Sequence, residues 1–198
     1  MVWGKAGSIT LTSAEDTLTT DTFTSSKFNQ FMFHETGGNG LTLIQIGNST
    51  IDTGNNYSLR WQENGSGDQT TINTNQLGQV EMATGTGVIF TVGYIINISS
   101  EEKLSMHWNT GEYGTGASVV PKRTESVAKW TDTSNQFDII RTYTTTSDGF
   151  AIDSNLTILG SDLTPAAAVD VKIQNGAVFE ETDTNKHYLL DDGTWTEI

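Results

Sequence analysis

Apolar and polar residues alternate along most of this chain with a period of two, the spacing of strands whose successive side chains face opposite sides of a sheet. The longest run covers 88–98. Val88, Phe90, Val92, Tyr94, Ile96 and Ile98 share one parity, and Thr91, Gly93, Asn97 and Ser99 share the other. A polar turn at 99–103 follows, and alternation resumes with Leu104, Met106 and Trp108. The pattern predicts a long hairpin with its apolar parity in the core and Asn97, Ser105, His107 and Asn109 on the outer face. A second hairpin is predicted from 28–35 and 41–46 about the turn Thr36-Gly37-Gly38-Asn39-Gly40. Its strands carry apolar residues on both parities, which predicts burial on two sides. Further strands are predicted at 57–62, 80–82, 125–130, 137–143 and 156–159.

No segment has the 3.6-residue amphipathic spacing of a helix. Strands every 10 to 15 residues, punctuated by Gly, Asn and Asp, predict an all-β fold, an antiparallel β-sandwich of jelly-roll-like kind. Loops at 47–56, 64–76 and 110–121 are expected to face outward. After Leu163 the composition changes. Thr164-Pro165-Ala166-Ala167-Ala168 reads as a link, since Pro165 disfavours continuation of a strand. Strands at 171–174, 177–182 and 187–190, with Asn175-Gly176 and Asp191-Asp192-Gly193 turns, predict a C-terminal β-hairpin extension. The expected domains are therefore a sandwich at 1–163 and a ribbon at 164–198. So small a ribbon is marginal alone and is expected to pack on the sandwich or on a neighbouring subunit.

Composition agrees and narrows the function. Thr is the most abundant residue, with 20 Gly, only 2 Pro, and 17% charged residues where about 25% is usual. Ten basic residues against 24 acidic ones give a net charge of −14. That argues against nucleic acid and anionic membrane as partners, because both are bound through Lys and Arg. No apolar stretch is long enough to insert in a membrane as a helix. With no cysteine in the chain, disulfides, thiolate nucleophiles and Cys-based metal sites are excluded. The first residues, Met1-Val2-Trp3-Gly4-Lys5-Ala6-Gly7-Ser8, lack the basic start and apolar stretch of a secretory signal, so no signal-directed export is expected.

Candidate chemistry is sparse. His34, His107 and His187 fall in three different predicted strands, without a nucleophile turn or zinc spacing, so no catalytic residue, metal ligand or cofactor is expected. The loop Asp52-Thr53-Gly54-Asn55-Asn56 offers oxygens to calcium but does not match the EF-hand pattern. Glycoside cleavage needs two carboxylates across a sugar, whereas the acidic pairs here fall in turns or alternate across strands. Sugar binding would use aromatic faces: Trp61 with Tyr57 and Arg60, or Trp108 with Tyr113. The parities of Trp61 and Trp108 place both rings in the core, which leaves His107 and Asn109 better placed for a ligand. Sequons at Asn48, Asn56, Asn64, Asn97 and Asn155 are what an Asn/Ser/Thr-rich composition yields by itself.

Several strings carry a resemblance. They are Phe28-Asn29-Gln30-Phe31-Met32, the 94–104 hairpin Tyr-Ile-Ile-Asn-Ile-Ser-Ser-Glu-Glu-Lys-Leu, the 121–130 run Pro-Lys-Arg-Thr-Glu-Ser-Val-Ala-Lys-Trp, the 154–160 run Ser-Asn-Leu-Thr-Ile-Leu-Gly, and the 179–188 run Phe-Glu-Glu-Thr-Asp-Thr-Asn-Lys-His-Tyr. Together they resemble virion-type β-sandwich proteins of tailed phages and related marine viruses. The tail is similar to a short ribbon of phage fibre and capsid-associated proteins. The resemblance implies a particle component (capsid decoration, turret or tail fibre) on the virion exterior, made in the host cytoplasm. It implies a homo-oligomer, a trimer among the forms expected, with other virion proteins as partners and a cell-surface glycan as a further one. It identifies no active site. A carbohydrate-binding β-sandwich module is the alternative, and a polysaccharide-cleaving enzyme comes third.

Overall fold

The computed structural model describes residues 3–37, 40–80, 87–112, 114–163, 176–181, 186–191 and 194–198. Tyr113, the tip of the predicted 36–40 turn, residues 81–82 of a predicted strand, the 164–168 link, the 171–174 strand and the Asp192-Gly193 turn lie outside the described residues. The chain divides into two compact units, Met1–Thr164 and Pro165–Ile198.

The fold is all-β and sandwich-like, with no helix among the described residues. In the first unit the strands are β1 (Gly4–Thr10), β2 (Thr17–Thr19), β3 (Ser26–Glu35), β4 (Thr42–Asn48), β5 (Thr50–Ile51), β6 (Tyr57–Glu63), β7 (Gln69–Thr74), β8 (Gly78–Val80), β9 (Ile89–Ile96), β10 (Lys103–Gly111), β11 (Lys122–Trp130), β12 (Ile139–Thr144) and β13 (Asn155–Leu163). Eight of them form one antiparallel sheet in the order β1-β13-β3-β9-β10-β11-β6-β7. The opposing sheet runs β2-β12-β4-β5, with β8 also paired to β4. In the second unit β14 (Val178–Glu181), β15 (Lys186–Asp191) and β16 (Thr194–Glu197) pair as a three-stranded antiparallel ribbon.

The core lies between the two sheets of the first unit. Phe31 and Phe33 of β3 and Leu156 and Ile158 of β13 meet Ile44 and Ile46 of β4 and Ile140 of β12. Burying each such side chain contributes about 1.5–3 kcal/mol. Polar groups pin the ends. Asn97 is fully buried: Nδ2 donates to the Phe137 carbonyl (2.9 Å) and Oδ1 accepts from the Phe137 amide (2.9 Å), tying the end of β9 to the approach to β12. Its sequon is thus occupied by the fold. Lys103 is also buried. Its Nζ donates to the carbonyls of Glu101 (2.6 Å) and Asp132 (2.8 Å) and lies over the Trp130 ring, which locks the β9–β10 turn to the 131–135 loop.

The predicted 88–108 hairpin forms, as β9 and β10, with Met106 opposite Tyr94 and Trp108 opposite Val92. Its orientation reverses the expectation. Ile89, Thr91, Gly93, Ile95 and Asn97 face the core, as do Ser105, His107 and Asn109. Phe90 (45% exposed), Tyr94 (40%), Leu104 (57%), Met106 (46%) and Trp108 (43%) face out. The inner volume is filled from elsewhere, which explains the small residues: a Cβ on Gly93 would lie 2.3 Å from the Phe31 ring. The 28–46 hairpin is also overturned. β3 pairs with β13 and β9, and β4 pairs with β12, β5 and β8 in the other sheet. Each of the two strands is an interior strand of its own sheet. Within the 64–76 region expected as a loop, Gln69–Thr74 forms edge strand β7.

Candidate functional site

The outer face of the large sheet gathers Phe90, Tyr94, Leu104, Met106, Trp108 and Val127, all exposed. Strand pairing fixes the arrangement: Met106 lies between Tyr94 and Val127, and Trp108 between Val92 and Glu125, while Met32 flanks Val92 on β3. Tyr94 and Trp108 meet edge to face, with ring centroids 6.4 Å apart. Val127 of β11 is 52% exposed. At one end of this face a groove of about 400 Å³ is lined by Trp3, Phe28, Tyr94, Ile96, Leu104 and Met106. At the other end a second groove, about 380 Å³, lies among Val88, Phe90, Thr110, Val119 and Pro121, with Glu112 also lining it.

Charge is excluded from the centre of this face. The outward positions of β3, β9 and β10 carry no carboxylate, although the chain holds 24. Charges begin on β11 and are paired: Lys129 with Glu102 (2.7 Å) and Arg123 with Glu125 (3.7 Å). Contiguous exposed apolar surface of this kind marks a contact site on a folded protein.

The residues singled out from the sequence do not share one surface. His107 is buried rather than outward. Neither imidazole nitrogen has a hydrogen-bond partner, and burial pushes its pKa down to about 4. The backbone of β8 closes over it, since a Cβ on Gly78 would lie 2.5 Å from the imidazole Cε1. The ring is therefore a neutral core group, with no nucleophile or carboxylate hydrogen-bonded to it. Asn109 is likewise buried, its Nδ2 donating to the Gln79 carbonyl at 3.4 Å. Tyr57 is buried and stacked on Trp130, with Oη donating to the Ile46 carbonyl (2.6 Å) and the Asp52 carbonyl 2.9 Å away. Trp61 packs against the core, facing inward as its parity predicts. Arg60 points to solvent and pairs with Asp68 at 3.0 Å. Ser126 lies opposite both Trp61 and His107 in the strand register, so those two share the inner face, away from any ligand arriving from outside.

The Asp52 loop is built for hydrogen bonds rather than for a cation. Its carboxylate accepts from the Gly54 amide (2.8 Å), Asn56 Nδ2 (2.9 Å) and Trp130 Nε1 (2.7 Å), so N–H groups occupy the positions a calcium ion would need. No cluster of three or more His, Asp or Glu that could hold a metal occurs among the described residues. Among the described residues, Glu35 is the one buried carboxyl with a strongly raised pKa, pushed up to about 7 by burial, while a hydrogen bond from Thr42 Oγ1 (3.0 Å) acts the other way.

The outward apolar stripe is what the sequence reading missed. Its signal was present: Thr, Gly, Ser, Asn and His occupy most of the opposite parity, and such a set leaves room for large rings from other strands. The chain matches no protein-family model and no curated protein.

Proposed function

We propose that this chain is a structural component on the exterior of a virus particle, of the capsid-decoration, turret or tail-fibre type. It works by association with copies of itself and with other particle proteins, and by attachment to a host surface; it makes and breaks no bond. The observation that carries this reading is the exposed apolar face of β9, β10 and β11, a surface suited to burial against protein. The resemblance of the sequence to virion-type sandwiches of tailed phages supplies the setting. Synthesis in a host cytoplasm fits a cysteine-free chain.

The test is location. Antibody against the chain, applied to the native assembly under the electron microscope, is expected to decorate a capsid or tail at regular positions. Label found only on material free of particles would overturn the reading.

A carbohydrate-binding module is the second reading, favoured by Phe90, Tyr94 and Trp108 exposed together on one sheet face. Leu104, Met106, Val92 and Val127 between them offer no hydrogen bonds to hydroxyls, which favours a protein contact instead. Specific glycan binding lost in Trp108→Ala would reverse that preference.

A further inference from the structure

We propose that the outer face of β3, β9, β10 and β11 is the contact between two copies of this chain, packed sheet on sheet about a two-fold axis near Met106 and Trp108. The inference rests on the reading of the chain as an assembling protein and names the surface and the partner.

Area is the first support. With about 150–250 Å² for an aromatic side chain, the exposed fractions of Phe90, Tyr94, Leu104, Met106, Trp108 and Val127 amount to roughly 500 Å² of apolar surface. Trp3, Phe28 and Ile96 extend it toward the roughly 800 Å² that one side of a standard interface buries. Aromatic residues and Met are the types enriched at such contacts.

Charge is the second. Two copies each carrying −14 repel wherever carboxylates oppose one another. The outward positions of β3, β9 and β10 are free of carboxylates, and Glu125 of β11, beside Trp108, is paired with Arg123 of its own strand, so a like copy meets few opposing acids there. A partner rich in Lys and Arg would gain more from the acidic surface elsewhere, and a glycan would find no hydrogen bond at Val92, Leu104, Met106 and Val127 in the middle of the face.

Shape is the third, and it selects a two-fold pair. The apolar groove at Trp3, Leu104 and Met106 lies at one end of β10, and the 112–121 loop at the other. That loop presents Val120, which is 81% exposed, next to Val119 and Pro121 of the second groove. A two-fold rotation about the middle of β10 swaps these ends. It brings Val120 of each copy to the Leu104 groove of the other, a contact satisfied twice and closed.

Sedimentation of the full chain from about 1 to 100 µM tests this. The expected result is a mass of two 21.5 kDa protomers, with Met106→Glu weakening association at least about 100-fold and leaving the circular dichroism spectrum of the folded chain unchanged. Ile72→Glu, on the edge strand β7, is expected to leave the dimer intact. A second measurement does not depend on how charge is tolerated. Because the chain has no cysteine, Val120→Cys and Leu104→Cys each carry a single thiol. A short bis-maleimide should cross-link a mixture of the two far faster than either alone. A monomer across the range, a dimer broken by Ile72→Glu and not by Met106→Glu, or no preferential cross-linking in the mixture would each overturn the proposal. A monomer that still decorates its particle would overturn the pairing and leave the particle reading standing.

Discussion

At the scale of single residues, His107 is a neutral ring closed off from solvent. It is fully buried beside Phe31, and both ring nitrogens lack partners. Its pKa falls from the ordinary 6.5 to about 4, because burial disfavours the charged ring. A folded-state pKa below the unfolded one means that the neutral ring contributes stability above pH 6.5. That contribution is lost as pH falls through 4, where the unfolded chain has already taken up its proton. Glu35 acts with the opposite sign. Its folded pKa is raised to about 7, so its contribution is complete below the ordinary 4.5 and is lost as pH rises through 7. The two partly cancel in the native protein, and a variant separates them. His107→Leu removes two unpartnered nitrogens at similar volume. At pH 7.5 it is expected to melt at or above the native temperature. Between pH 6.5 and 4 the native protein should lose up to roughly 3 kcal/mol relative to it, following about 1.4 kcal/mol per unit of pKa shift. Denaturant unfolding of both proteins across that range is the check, and a constant difference between them would refute the account.

Strands were legible as strands because a period of two in the side chains leaves a clear mark. β6, β9, β10, β11, β12 and β13 all lie where alternation predicts them. Facing is another matter, because alternation separates two faces without saying which is inward. The β9–β10 hairpin inverts the simplest rule: its more apolar parity is exposed, while Thr91, Gly93, Ser105 and His107 line the core. The deciding information lies in Phe31 and Gly78, on other strands that fill or cap the space above β9 and β10. Edge strands β1 and β7 escaped notice because polar runs such as Gln69-Thr70-Thr71 carry no apolar rhythm. The pairing of β3 with β13 joins residues more than a hundred positions apart, as in His34 opposite Asn155, which no local pattern reports. The reversed hairpin makes an element-scale prediction with opposite outcomes at adjacent residues. Phe90→Asp places a carboxylate where the side chain already meets water and should leave the fold intact. Thr91→Asp buries an unpaired charge, costs several kcal/mol, and should leave the chain unfolded or melting far lower. Circular dichroism melts of the two variants read this directly; the reverse ranking would turn the sheet over.

For the whole molecule, long-range charge opposes the local contact. Each copy carries −14, and the outward positions of β3, β9 and β10 hold none of the carboxylates. Association through that face gains from apolar burial, which salt leaves nearly unchanged or strengthens, and is opposed by repulsion between two acidic bodies, which salt screens. At 0.01 M ionic strength the Debye length is about 30 Å, long enough for most of each protomer's charge to be felt across a pair; at 0.15 M it is about 8 Å. Raising salt between these values is therefore expected to tighten self-association by about tenfold. An interface held by ion pairs would respond in the opposite sense, as the bridges of Arg123 and Lys129 would if they reached across to a second copy instead of closing on Glu125 and Glu102 of their own. Sedimentation equilibrium at the two ionic strengths distinguishes the cases by the sign of the change. Tightening with salt is what a neutral contact between like-charged partners requires, and loosening would move the contact from the apolar face to the charged strands beside it.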